Sequence, residues 1–142
     1  MKRVTLIALM FASLCTMGID AQQPAPARGA VFVAYYWRAK PGMLDAYNDY
    51  IKTVAEPIDE DARRAGVFEE VRTVMPASGV ATDWTHLRVF RLKDASAAEN
   101  LSAGLDAATA RVVPDEARRK ANSERASTLR DLVRREVWTE LR

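Results

Sequence analysis

The chain has 142 residues, enough for a single domain of ordinary size, and 49% of them are hydrophobic and 28% charged. Those proportions exclude a disordered or fibrous chain. With 21 Lys and Arg against 19 Asp and Glu, the net charge is +2, too small to mark nucleic acid or anionic lipid as a partner.

Residues 1–21 read as a secretory signal. Lys2 and Arg3 precede the uncharged apolar run Val4–Ile19, and Ala21 offers a small residue for cleavage. The run has sixteen residues and contains Thr5, Ser13, Thr16 and Gly18, so it is short for a membrane span, which needs about 20. Cleavage removes Lys2, Arg3 and Asp20, lowering the net charge to +1, and takes with it Cys15, the only cysteine. The exported chain, periplasmic or secreted, then lacks disulfides, a thiolate nucleophile, Cys-bound zinc and covalent c-type haem.

Residues 22–29, QQPAPARG, form a leader without apolar periodicity, and residues 30–142 form one domain. Ala30–Ala39 is dense in Val, Phe, Tyr and Trp and predicts a strand, ended by Lys40-Pro41-Gly42. Tyr47, Ile51, Val54, Ile58, Ala62 and Ala65 then recur at helical spacing, with Pro57 set to kink or split the helix and Gly66 to stop it. Val67–Met75 and Trp84–Leu92 predict two more strands joined by a loop over Pro76–Asp83. Asp94 caps an Ala-rich helix, and Pro114-Asp115 starts another. Leu132–Leu141 fits a strand or a helix, and the strand is preferred. The expected class is therefore α+β: a ferredoxin-like split βαβ with a four-stranded antiparallel sheet and its helices on one face.

Parity divides the strands into two faces. Val31, Val33, Tyr35, Trp37, Val67, Val71, Leu87, Val89, Val133 and Val137 should lie under the helices. The opposite face is mixed. It carries Phe32, Ala34, Tyr36, Arg38, Phe68, Glu70, Arg72 and Val74, with Trp84, His86, Arg88, Phe90 and Trp138. An apolar face of that kind asks for cover, and a second copy would supply it. Cross-strand ion pairing of the charges is the plainer alternative.

Three stretches carry a resemblance: VFVAYYWRAKPGMLDAYNDYIKTVAEPI, MPASGVATDWTHLRVFRL and LVRREVW. They resemble the dimeric α/β-barrel superfamily, and within it a group of exported members of unassigned function. Its markers are the strand–KPG–helix corner, the proline in the first helix and the final EVW, and it covers Ala30–Arg142. The resemblance implies a homodimer more firmly than a reaction, because the superfamily includes cofactor-independent monooxygenases, isomerases, haem enzymes and small stress proteins.

His86, the only histidine, is the candidate catalytic acid–base group. Arg38, Arg72 and Arg88 are candidate binders of a carboxylate, with Tyr36, Trp84 and Trp138 as apolar walls for an aromatic or lipid-like ligand. No cofactor or metal site is read. Asp59-Glu60-Asp61 is taken as a solvated run whose side chains fan out, and the basic residues Arg118, Arg119, Lys120 and Arg125 as a solvent face. Neither nucleic acid nor, after cleavage, a membrane is expected as a partner. Three activities follow as expectations: small-molecule binding at the mixed face, a cofactor-independent monooxygenase or isomerase there, or a purely structural dimer.

Overall fold

The computed structural model describes residues 29–78, 80 and 82–141; the expected signal 1–21 and all of the leader but Gly29 lie outside them. The elements run β1 Val31–Ala39, α1 Leu44–Tyr50, a π-helical turn Ile51–Ala55, α2 Glu56–Arg64, β2 Glu70–Val74, β3 His86–Leu92, α3 Ala95–Val112, α4 Glu116–Leu129 and β4 Arg130–Thr139. The strands form one antiparallel sheet in the order β2-β3-β1-β4. This is the expected split βαβ, with β2 and β4 as edges. Among the described residues no helix is long and apolar enough to cross a membrane.

Local chemistry accounts for most boundaries. Gly42 adopts φ +75° in the corner after β1, a conformation other residues rarely take. Pro57 does split the first helix, but through a π turn that ends just before it. Pro57 therefore stands in the first turn of α2, where its missing N–H matters least. Gly66, also at φ +75°, closes α2 in a Schellman arrangement, with Gly66 N–H donating to Arg63 O and Val67 N–H to Ala62 O, each 3.0 Å. That second bond explains why β2 starts later than its composition predicts, since Val67 has already given its N–H to the helix. Asp94 and Asp115 cap α3 and α4 as expected, accepting from the backbone of Ala97 and Arg118 at 2.8 and 2.6 Å. The C-terminal segment is a strand, as preferred.

The core lies between the sheet and the helices. Val31, Val33, Phe90 and Leu92 from the central strands meet Phe68, Ala62, Ala98, Leu101 and Ala108. A second cluster joins Tyr47, Tyr50 and Ile51 to Leu129, packed against Trp37.

The register corrects the expected faces of β3. Val33 pairs with Phe90, Tyr35 with Arg88 and Trp37 with His86, so His86, Arg88, Phe90 and Leu92 point under the helices. Leu87 and Val89, expected inside, lie on the open face opposite Tyr36 and Ala34. Phe68, expected outside, is in the core. Either parity of HLRVFRL offers apolar residues. The inward set wins because Phe90 and Leu92 are large and because the helices supply polar partners for His86 and Arg88.

At one point α3 lies directly against the chain leaving α2. A Cβ on Gly104 would come within 2.8 Å of Val67 Cγ2 and closer still to Cγ1. Gly104→Ala should therefore destabilise the protein by about 1–3 kcal/mol through overpacking, although alanine favours a helix interior by about 1 kcal/mol. Urea unfolding monitored by circular dichroism checks this; a stabilised variant would mean Val67 yields freely.

Candidate functional site

The seven predicted site residues divide between the two sides of the sheet. Tyr36, Arg38, Arg72, Trp84 and Trp138 belong to the open face, whereas His86 and Arg88 lie beneath the helices. The single constellation read from the sequence is therefore two.

On the inner side His86 is 1% exposed. Its Nε2 faces Asn48 Oδ1 of α1 at 2.8 Å, and its Nδ1 faces Thr85 Oγ1 at 2.9 Å. Asn48 Oδ1 can only accept, so the ring carries its proton on Nε2. Tyr47 packs edge-on against the imidazole at 4.5 Å. Burial, followed by the charges of Arg130 and Arg88, lowers the pKa of His86 and keeps the ring neutral. Both nitrogens are engaged within the chain, which leaves none for a substrate.

Arg88 forms a buried ion pair with Asp59 of α2 through Nη2 and Oδ2. This corrects the reading of Asp59-Glu60-Asp61 as wholly solvated. The three side chains do fan out, but one of them, Asp59, turns inward and is 7% exposed, while Glu60 stays in solvent and Asp61 meets Arg111. Burial pushes the Asp59 carboxyl up, and Arg88 pulls it part of the way back. Arg130 completes the layer, stacked 3.7 Å over Trp37 and donating to Tyr47 Oη at 2.7 Å.

The open face has two centres. At one end Tyr36 meets Trp84 edge-on at 5.6 Å, donates to Glu136 at 3.1 Å and lies under the Arg134 guanidinium at 3.7 Å. Towards the other end, a hollow of about 220 Å³ has Phe32 and Val89 as its floor and Arg72, Arg91 and Glu70 around it. Trp138 stands opposite Phe32 on β4 and continues the apolar floor towards the edge. Arg72 pairs with Glu70 at 2.6 Å and Arg91 with Glu69 at 3.5 Å. Arg38 has no ion pair among the described residues. Such a hollow suits a flat apolar body with an anionic end.

No protein-family model matches the sequence, and no curated protein matches it. Solved structures do. A NIPSNAP family protein of unknown function from Agrobacterium tumefaciens is similar with a TM-score of 0.58 at 12% identity, over 82% of this chain and 92% of that one. HapK from Hahella chejuensis is similar with a TM-score of 0.53 at 13% identity, over 78% of this chain and 92% of that one. The fold shared with them is the ferredoxin-like split βαβ with its four-stranded antiparallel sheet. At these identities the likeness is one of fold alone.

Sequence reasoning missed Asn48, Asp59, Val89, Arg91, Arg134 and Glu136 as site residues. Asp59 had a signal: it adjoins Ile58 and precedes Ala62 by three on the buried stripe. The others depended on strand register, which composition does not reveal.

The neutral imidazole makes stability depend on pH. Unfolding frees His86 to take a proton near its ordinary pKa of about 6.5, while the folded state resists protonation. The stability it contributes is present above that value and is lost as pH falls through the lowered folded value. Unfolding free energies should therefore drop more steeply between pH 7.5 and 5.5 in the parent protein than in His86→Gln. Parallel slopes would show that folded His86 protonates without penalty.

Proposed function

We propose that the protein is an exported homodimer, joined through the open face of its sheet, that holds a small apolar or aromatic molecule with an anionic group in the hollow on that face. The observation that carries this reading is the hollow itself, an apolar floor of Phe32 and Val89 with two guanidinium groups beside it. An open face exposing Val74 at 45% and Trp138 at 40% is a surface that association would remove from water. A second sheet laid against it would also cover the mouth of the hollow. Water would then be excluded and the hold of Arg72 and Arg91 on an anion strengthened. Export rests on Lys2 and Arg3 ahead of Val4–Ile19.

Within this proposal Arg72 keeps its assignment, Trp138 stands beside Phe32 on β4 without lining the hollow, and Tyr36, Trp84 and Arg38 belong to the surrounding interface. Arg88 leaves the ligand set, because it is bound to Asp59 on the other side of the sheet. The alternative of a monooxygenase or isomerase with His86 as its base on this face loses its base, since His86 points away from it. The purely structural dimer stays distinguishable by its empty hollow.

Native mass spectrometry of the protein, purified without added ligand, should give a dimer with additional small-molecule mass. Arg72→Ala combined with Arg91→Ala should lose that mass and keep the dimer. Val89→Glu, which sets a carboxylate in the middle of the face, should yield a folded monomer by sedimentation velocity and circular dichroism. A monomeric parent protein at tens of micromolar would overturn the interface, and an adduct that survives the double arginine variant would overturn the hollow.

A further inference from the structure

The helices leave one part of the inner side of the sheet bare. Val137 of β4 stands beside the core residue Val33, yet it is 49% exposed. Between it and α3 runs a groove of about 460 Å³. Ala95, Ala98 and Glu99 line it from α3 and Arg135, Val137 and Thr139 from β4, with Val31 at the start of β1. The charges at its rim do not pair with each other. Arg135 donates through Nε to Tyr35 Oη at 3.4 Å, and Glu99 has no ion pair or side-chain hydrogen bond among the described residues.

The chain enters the fold at this groove. Glu140 N–H donates to Ala30 O at 3.1 Å, next to Val31, and Gly29 lies in a bend, so the residues before it need not prolong β1. Those residues, 22–28, read QQPAPAR: small apolar side chains among prolines, then one cation. Pro24 and Pro26 have no N–H to give, which makes the segment a poor fifth strand for the edge of β4. Proline favours the polyproline II conformation instead, which leaves backbone carbonyls free to accept. The lengths agree. Pro24–Arg28 in that conformation covers about 12 Å, at about 3.1 Å per residue. Arg135–Thr139 of β4 covers about 13 Å, at about 3.3 Å per residue.

We propose that residues 22–28 dock in this groove of their own chain as a strap. Pro24–Ala27 lie on Ala95, Ala98 and Val137, Arg28 pairs with Glu99, and carbonyls of the segment accept from the remaining N–H groups of Arg135. The link is short, so the effective concentration of the segment is on the order of millimolar and a weak contact suffices. Docking takes the bare flank of Val137 out of water. The groove lies on the opposite side of the sheet from the proposed dimer face, and residues 22–28 belong to the chain with or without cleavage after Ala21. The strap therefore stands or falls separately from both readings.

The test is paramagnetic broadening in the ¹⁵N-labelled exported chain, residues 22–142, which contains no cysteine. Gln23→Cys carries a nitroxide at the far end of the segment. The amides of 95–99 and 135–139 should broaden most, more than those of 29–31 beside the tether. Glu99→Lys should weaken docking about twofold, the scale of an exposed ion pair, and adding Arg28→Glu should restore it. Val137→Ser, at an exposed position, should weaken it as well, with unchanged circular dichroism. Spin-labelled chain without ¹⁵N, mixed with unmodified ¹⁵N chain, should leave these amides sharp; broadening there would give the groove to a second copy and overturn the strap. Broadening confined to 29–31, broadening spread evenly over the surface, or docking indifferent to both Glu99→Lys and Val137→Ser would each overturn it too.

Discussion

A guanidinium and an imidazole on the inward side of β3 need polar partners, and the first helical segment supplies one to each. Arg88 meets Asp59 and His86 meets Asn48, one contact on each side of the π turn. Removing one member of such a buried pair leaves the other desolvated and uncompensated, a far larger penalty than the loss of a surface ion pair. These two contacts also fix the strand's parity. Shifted by one residue, β3 would leave Asp59 and Asn48 facing Leu87 and Val89. Polar matching and the bulk of Phe90 and Leu92 therefore specify the same register, and the open face is what remains on the other side.

The π turn serves this arrangement. Ile51–Ala55 is wound more loosely than the helices on either side, and it ends where Pro57 would otherwise clash with the preceding turn. One residue that cannot continue a regular helix thus separates a segment carrying Tyr47 and Asn48 from one carrying Asp59 and Ala62. Both segments present buried residues to the sheet. The Schellman closure at Gly66 then turns the chain sharply, so that Phe68 enters the core before β2 begins.

Much of this architecture was legible in the sequence because its signals are local. The strand of β1, the corner at Gly42, the caps at Asp94 and Asp115 and the break at Pro57 each arise from the chemistry of a few neighbouring residues. The candidate site was less legible because it depends on pairing. HLRVFRL alternates without declaring which side is buried, and the alternation of polarity placed His86 and Arg88 outside. Only a long-range partner inverts that, and Asp59 stood hidden in an acidic run whose neighbours are indeed solvated. The residues on β1, β2 and β4 that were assigned to the open face are found there: Phe32, Tyr36, Arg72 and Trp138 had no buried partner to turn them inward.

The register of β1 with β4 slips between Tyr36 and Trp37, where Arg134 and Leu132 are the successive partners and Val133 is left over. Such a bulge interrupts the ladder and increases the local twist. Because β4 is a sheet edge of ten residues, an unbroken version would offer a long straight template to any passing strand. The other edge, β2, is only five residues long. The molecule thus guards both of its unpaired margins against runaway self-assembly, one by brevity and the other by a misfit of a single residue.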